Sequence, residues 1–83
     1  MKLLYFAWVR QKLGKSEEDF ALPFDIKTVS DLLAHLRARG GAYSDAFADG
    51  NALRAAVNLD YVKFDAAVSD ADEVAFFPPV TGG

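Results

Sequence analysis

One amphipathic stretch, residues 28–40, sets the architecture that the rest of the chain has to fit. Val29, Leu32, Leu33 and Leu36 recur at the i, i+3, i+4, i+7 spacing that lines one face of an α-helix. Thr28-Val29-Ser30-Asp31 reads as a capping box, with the Thr28 hydroxyl accepting the backbone N–H three residues on and an acid at that position reaching back. Gly40-Gly41 closes the element, because glycine tolerates the left-handed conformation that a helix end needs. The segments on either side are strand-like, so this one stripe has to lie on one face of one sheet.

Those strands are read from composition and punctuation. Residues 2–9, Lys-Leu-Leu-Tyr-Phe-Ala-Trp-Val, form an almost continuous apolar and aromatic run that predicts a strand buried on much of both faces. Residues 10–18 are polar, contain Gly14 and read as a connection. Residues 19–24 predict a shorter strand carrying Phe20 and Leu22, which Pro23 places at an edge or ends. After the helix come a short helical turn over 43–48, a turn at Asp49-Gly50-Asn51, and a hairpin of residues 53–58 and 61–64 turning at Leu59-Asp60. Residues 65–72 connect to a last strand, 73–77, which Pro78 and Pro79 stop because neither can donate a ladder hydrogen bond. The order β-β-α-β-β-β, with a central first strand beside a parallel last one, is an α+β fold: the β-grasp, or ubiquitin-like, roll, a mixed sheet with one main helix packed on one face. A single domain is expected over 1–83, with a flexible carboxyl-terminal tail at 78–83.

Composition removes most functional classes. A chain of 83 residues has a thin stability margin, and its 52% hydrophobic content with seven Phe must supply the stability by packing. The absence of cysteine excludes disulfides, zinc–thiolate sites and a cysteine nucleophile. Net charge is −3 and the nine Lys and Arg are scattered, with Lys27, Arg37 and Arg39 the densest group, so no basic surface for nucleic acid is expected. No apolar run has the length of a bilayer span and no export signal opens the chain, which favours the cytoplasm.

Catalytic candidates inside the chain are few. His35 sits to the side of the helical stripe without a second His or any Cys, and reads as a surface histidine. Asp70, Asp72 and Glu73 precede a strand beside a turn and read as solvated turn residues rather than a metal site, so no metal is expected. The tail, Pro78-Pro79-Val80-Thr81-Gly82-Gly83, is different. Its prolines hold the root extended, and its glycines lack the Cβ that would keep a backbone out of a narrow cleft. Six extended residues reach roughly 20 Å, far enough to enter another protein's active site. A terminal carboxylate at Gly83 is a poor electrophile until an enzyme converts it to a mixed anhydride such as an acyl-adenylate. A sulfide equivalent can then displace the nucleotide, leaving a thiocarboxylate that is a better nucleophile than the carboxylate.

Strand parity adds a surface. Lys2 facing outward puts Leu4 and Phe6 on the face opposite the helix, Lys63 does the same for Tyr61, and Glu73 for Ala75 and Phe77. Val74 and Phe76 then point to the helix. Phe6, Tyr61 and Phe77 are expected to share an aromatic patch beside the tail, a candidate docking surface.

Ala56-Val57-Asn58, Val62, Phe64-Asp65 and the block from Asp72 to Gly83, DEVAFFPPVTGG, resemble the small subunit of molybdopterin synthase. The likeness is strong over the last thirty residues, fair over Leu3 to Val9, and between Gly14 and Asn51 limited to the strand–helix pattern. Ala71 departs from it, since the family more often has Gly between the two acids. The resemblance implies a β-grasp sulfur carrier with no active site of its own, in a heterotetramer with the large subunit. It implies that an E1-like, ATP-dependent enzyme adenylates Gly83 and that a sulfur donor protein supplies the thiocarboxylate sulfur. The large subunit would then use that sulfur on cyclic pyranopterin monophosphate. ATP would be used by the activating enzyme, with no cofactor bound here. Gly82 and Thr81 would give the tail access to a partner's cleft, and Phe6, Tyr61, Phe77, Pro78, Pro79 and Val80 would contact partners. A carrier for thiamine or tungstopterin synthesis, or a ubiquitin-like protein modifier, shares the fold and the Gly-Gly end.

Overall fold

The structure is a computed structural model and describes residues 1–79. Of the expected tail it includes Pro78 and Pro79, whereas Val80, Thr81, Gly82 and Gly83 lie outside the described residues.

Strand β1 (Lys2–Tyr5) alternates as its sequence predicts, with Leu3 and Tyr5 buried and Lys2 exposed. The apolar run goes on but the strand does not. Phe6 caps a short helix, α1 (Ala7–Leu13), and Ala7 takes a left-handed φ of 53° that turns the chain off the sheet. The expectation of one strand over 2–9 is therefore corrected: Val9 enters the core from a helix. Aromatic and β-branched residues serve a helix's apolar side as well as a strand, and periodicity over so short a run does not separate the two. Helix α1 also fills part of the segment expected as a connection, and Gly14, at φ 73°, ends it.

The second strand is also displaced. β2 (Glu17–Asp19) pairs antiparallel with β1 at Lys2↔Asp19, Leu3↔Glu18 and Leu4↔Glu17, so three acids form the strand in place of residues 19–24. Pairing to a buried neighbour overrides the low strand propensity of these residues at an edge. Helix α2 (Val29–Ala38) follows, with both halves of its capping box made. Thr28 Oγ1 accepts from the Asp31 N–H at 3.1 Å, and the Asp31 carboxylate accepts from the Thr28 N–H at 3.2 Å. Gly40, at φ 77°, separates α2 from α3 (Gly41–Ala46), the expected short helical turn.

A 3-10 turn (Gly50–Ala52) capped by Asp49 leads into β3 (Arg54–Val57). The hairpin turns at Asn58-Leu59, with φ of 51° and 73°, into β4 (Asp60–Val62), one residue earlier than expected. Asn58 fixes that register: its Nδ2 donates to Asp72 at 2.9 Å and its Oδ1 accepts from the Glu73 N–H at 3.0 Å. β5 (Glu73–Phe77) has the expected bounds.

The sheet order is β2-β1-β5-β3-β4, with β1 and β5 parallel and the other pairs antiparallel. This is the β-grasp arrangement. The stripe of Val29, Leu32, Leu33 and Leu36 is buried against Leu3, Tyr5, Leu53, Val74 and Phe76 in one core that also takes in Val9 and Phe47. Phe47 stacks edge-on to Phe76 at 5.4 Å and lies 6.2 Å from Tyr5, so α3 seals the end of the core. Each such side chain contributes about 1.5–3 kcal/mol on burial. Among the described residues no helix is long and apolar enough to cross a membrane.

Candidate docking face and carboxyl-terminal root

The face of the sheet away from α2 is built across one row of paired residues. Leu4 pairs with Ala75, Ala75 with Ala56, and Ala56 with Tyr61. The two alanines form a low floor, and Phe6, Leu59, Tyr61 and Phe77 rise around them to wall an apolar groove of about 260 Å³. Tyr61 and Phe77 lean on each other with ring centres 5.3 Å apart. Large parts of the walls meet solvent: Phe6 is 49% exposed, Tyr61 77% and Leu59 86%. Hydrophobic side chains in this number on one open face make it a candidate partner surface. Strand parity thus brought Phe6, Tyr61 and Phe77 to a common groove, with Lys2, Leu4 and Ala75 on their expected side.

Leu59 was not among the residues the sequence singled out. Its place in a turn conceals it, although a large aliphatic residue between Asn58 and Asp60 is unusual chemistry for a hairpin tip. Pro78 and Pro79 follow Phe77 directly and are half-buried, so the root of the tail begins at the groove's wall. The expected functions of Val80, Thr81, Gly82 and Gly83 lie outside the described residues.

The acids near the last strand are occupied in folding. Asp70 accepts from the Leu22 N–H at 2.8 Å and from the Met1 ammonium at 3.3 Å, and these contacts, the Leu22 bond foremost, hold its carboxyl below the ordinary range. Asp72 is lowered in the same way by Asn58 first and then by the Ser69 N–H, which donates at 2.8 Å. Ala71 between them does not take a left-handed backbone, so its departure from glycine fits the turn. His35 is half-buried with its ring 5.2 Å from that of Phe20.

A carboxylate the sequence did not mark takes hydrogen bonds from three side chains. Glu18, on β2, accepts from the Tyr5 hydroxyl at 2.6 Å, from Tyr43 at 2.7 Å and from Arg39 at 3.1 Å. Desolvation pushes the Glu18 carboxyl up, but the bonds from Tyr5, Tyr43 and Arg39 outweigh it and leave the group below its ordinary value. Burial, followed by the bond to Glu18, pushes the Tyr5 phenol up. The cluster ties edge strand β2 to the end of α2 and to α3. It is a clamp rather than a reactive centre, because every partner is a donor already satisfied by the same carboxylate.

A mixed β-grasp sheet closed by α2 on one face, with an open apolar groove on the other, defines the class: a small ubiquitin-like protein. Residues 3–83 match the model of the ThiS family, and the chain belongs to that family. It is 46% identical over 83 residues to the molybdopterin synthase sulfur carrier subunit of Escherichia coli, covering 100% of this chain and 99% of that protein. A solved Pyrococcus furiosus structure superposes with a TM-score of 0.75 at 34% identity, covering 95% of each chain. The crystal structure of SAMP1 from Haloferax volcanii superposes at a TM-score of 0.72 and 26% identity, over 100% of this chain and 98% of that one.

Proposed function

We propose that this chain is the sulfur-carrier subunit of molybdopterin synthase, acting in the cytoplasm as the small partner of a catalytic large subunit. The observation that carries the reading is the apolar groove whose wall, Phe77, runs directly into the Pro78-Pro79 root. The likeness to the Escherichia coli carrier subunit supports it over the whole length. A partner seated on Phe6, Tyr61 and Phe77 is positioned to receive the residues that follow Pro79.

The chemistry belongs to Gly83. Its carboxylate oxygen attacks the α-phosphate of ATP on an E1-like enzyme, pyrophosphate leaves, and an acyl-adenylate forms. A sulfide equivalent from a donor protein attacks the acyl carbon; the C–S bond forms as the C–O bond to AMP breaks. The resulting thiocarboxylate, drawn into the large subunit through Gly82 and Thr81, attacks a carbon of cyclic pyranopterin monophosphate; the new C–S bond forms as an oxygen group leaves that carbon, and water then cleaves the Gly83 acyl C–S bond, leaving the sulfur on the substrate and restoring the carboxylate. Small, unbranched glycine is suited to this because both enzymes have to close around the reacting carbonyl. The chain itself supplies cargo and address, and turns over nothing alone.

Intact-mass measurement after incubation with ATP, the activating enzyme and a sulfur source tests the reading. A gain equal to sulfur replacing one oxygen, localised to Gly83, is expected; an unchanged mass with an activating enzyme proven on another carrier overturns it. The second reading is a ubiquitin-like modifier joined through Gly83 to lysines, which shares the fold and the Gly-Gly end. Adducts spread over many cellular proteins would identify that outcome.

A further inference from the structure

The open face carries its charges at two opposite corners, with the apolar groove between them. Strand register fixes their places. Phe77 lies across from Arg54, and Lys63 follows Val62, which lies across from Ala55, so Arg54 and Lys63 sit side by side on this face at the β4 edge. They line one hollow together, and Arg54 lines another with Tyr61 and Phe77 against the groove's wall. Both are exposed, and among the described residues neither pairs with a carboxylate. Toward the other corner, Lys2 lies across from Asp19 on one side and Glu73 on the other, and Leu4 lies across from Glu17. These three acids surround the single ammonium of Lys2, which holds Glu17 at 3.1 Å, and leave the β2 side of the face two charges negative. Asp19 and Lys63 mark the ends of the diagonal.

A surface with a cationic corner, an apolar middle and an anionic corner is complementary to its own copy. A two-fold axis lying in the contact and crossing that diagonal at the groove brings each Arg54–Lys63 corner onto the Glu17–Asp19 corner of the other chain, twice in one pair. The same rotation lays groove on groove, where Phe6, Leu59 and Tyr61 otherwise meet solvent. We infer that the free chain pairs with a second copy of itself through this face. Five strands about 4.8 Å apart make a face only about 20 Å wide, small for a permanent dimer, so the pair is weak and reversible. It covers the groove that the proposed contact with the large subunit uses, so pairing and docking exclude each other and the pair is a resting form. The pairing itself stands or falls apart from that function, because only the chain's own surface enters it.

Analytical ultracentrifugation of the whole chain at low salt, over about 10 μM to 1 mM, tests it with wild type, Lys63→Glu, Asp19→Lys and the double variant. Wild type is expected to pass from monomer to dimer at roughly 0.1 mM and to stop at two, because an isologous contact uses the same patch on both copies. Each single reversal sets like charges against each other at both corners and is expected to weaken the dimer at least about tenfold. The double variant pairs the corners again with their signs exchanged and is expected to return to within about threefold of wild type. An unfolded single variant cannot give that recovery. A wild type still monomeric at the highest concentration overturns the inference, as does a dimer that both single variants keep or that the double variant does not restore. Growth past two subunits assigns the contact to the sheet edges and overturns it. A chain that stays monomeric while Lys63→Glu loses affinity for the large subunit of molybdopterin synthase assigns the charges to that partner and overturns it too. An unchanged mass in the thiocarboxylate assay removes the functional reading and leaves the dimer untouched.

Discussion

Glu18 concentrates on one carboxylate what elsewhere takes several residues. Its Oε1 accepts from both the Tyr5 and Tyr43 hydroxyls, and Arg39 bridges both oxygens at 3.2 and 3.1 Å. Tyr5 is buried, so taking the acceptor away leaves a phenol with no route to water. Glu18→Ala is expected to destabilise the chain by about 1–3 kcal/mol, read from urea unfolding at neutral pH. The group's folded pKa lies below its ordinary 4.5, so its contribution is fully present above that value and is lost as pH falls through the folded pKa. The gap between wild type and variant should therefore be widest near pH 7 and close on acidification below about pH 4. A gap that is absent at pH 7, or that grows as pH falls, contradicts the clamp. Glu18 was not legible in the sequence because its partners come from β1, α2 and α3, brought together only by the fold.

Among the elements, α2 and β5 were readable and α1 and β2 were not. Helix α2 carries its own signals: a four-residue stripe, a capping box and terminating glycines, all local. β5 is bracketed by the Asp72 turn and by prolines. The break between β1 and α1 has no such mark. It depends on Ala7 accepting a φ of 53°, a conformation alanine seldom takes and no neighbouring residue announces. The exposed Cβ of Ala7 works against the turn it occupies. Ala7→Gly is expected to raise the unfolding midpoint by about 2–6 °C, and Ala7→Val to lower it, since a β-branched side chain is worse at that φ. Circular dichroism melts of the two variants measure this; a midpoint lowered by Ala7→Gly would mean that chain entropy outweighs the left-handed strain. The hairpin was misplaced by one residue for a related reason. Its register is held by Asn58 reaching Asp72 and Glu73, fourteen and fifteen residues away.

At the scale of the whole molecule, the two faces of the sheet divide the work. One face is closed by α2 and carries the stability; the other stays open and ends at the tail's root. The open face was legible through alternation alone, because one charged residue in or beside each strand, Lys2, Lys63 or Glu73, fixed which way Phe6, Tyr61 and Phe77 point. Leu59 escaped because alternation stops at a turn. This division predicts that the groove can be altered without unfolding the chain. Tyr61 lies on edge strand β4 and is 77% exposed, so Tyr61→Lys should leave the unfolding midpoint within about 4 °C of wild type. A lysine there sets a charge between Phe77 and the alanine floor, in the centre of the proposed contact, where leaving it unpaired on docking is costly. Binding to the large subunit is expected to fall at least about tenfold. Phe24→Lys provides the comparison: Phe24 is 89% exposed, lies outside the groove and rests against Lys27, so its loss should not change binding. Calorimetry on the two variants decides the matter. Equal binding by Tyr61→Lys and wild type would remove the groove from the interface, whereas equal losses from both substitutions would show a general effect of surface charge.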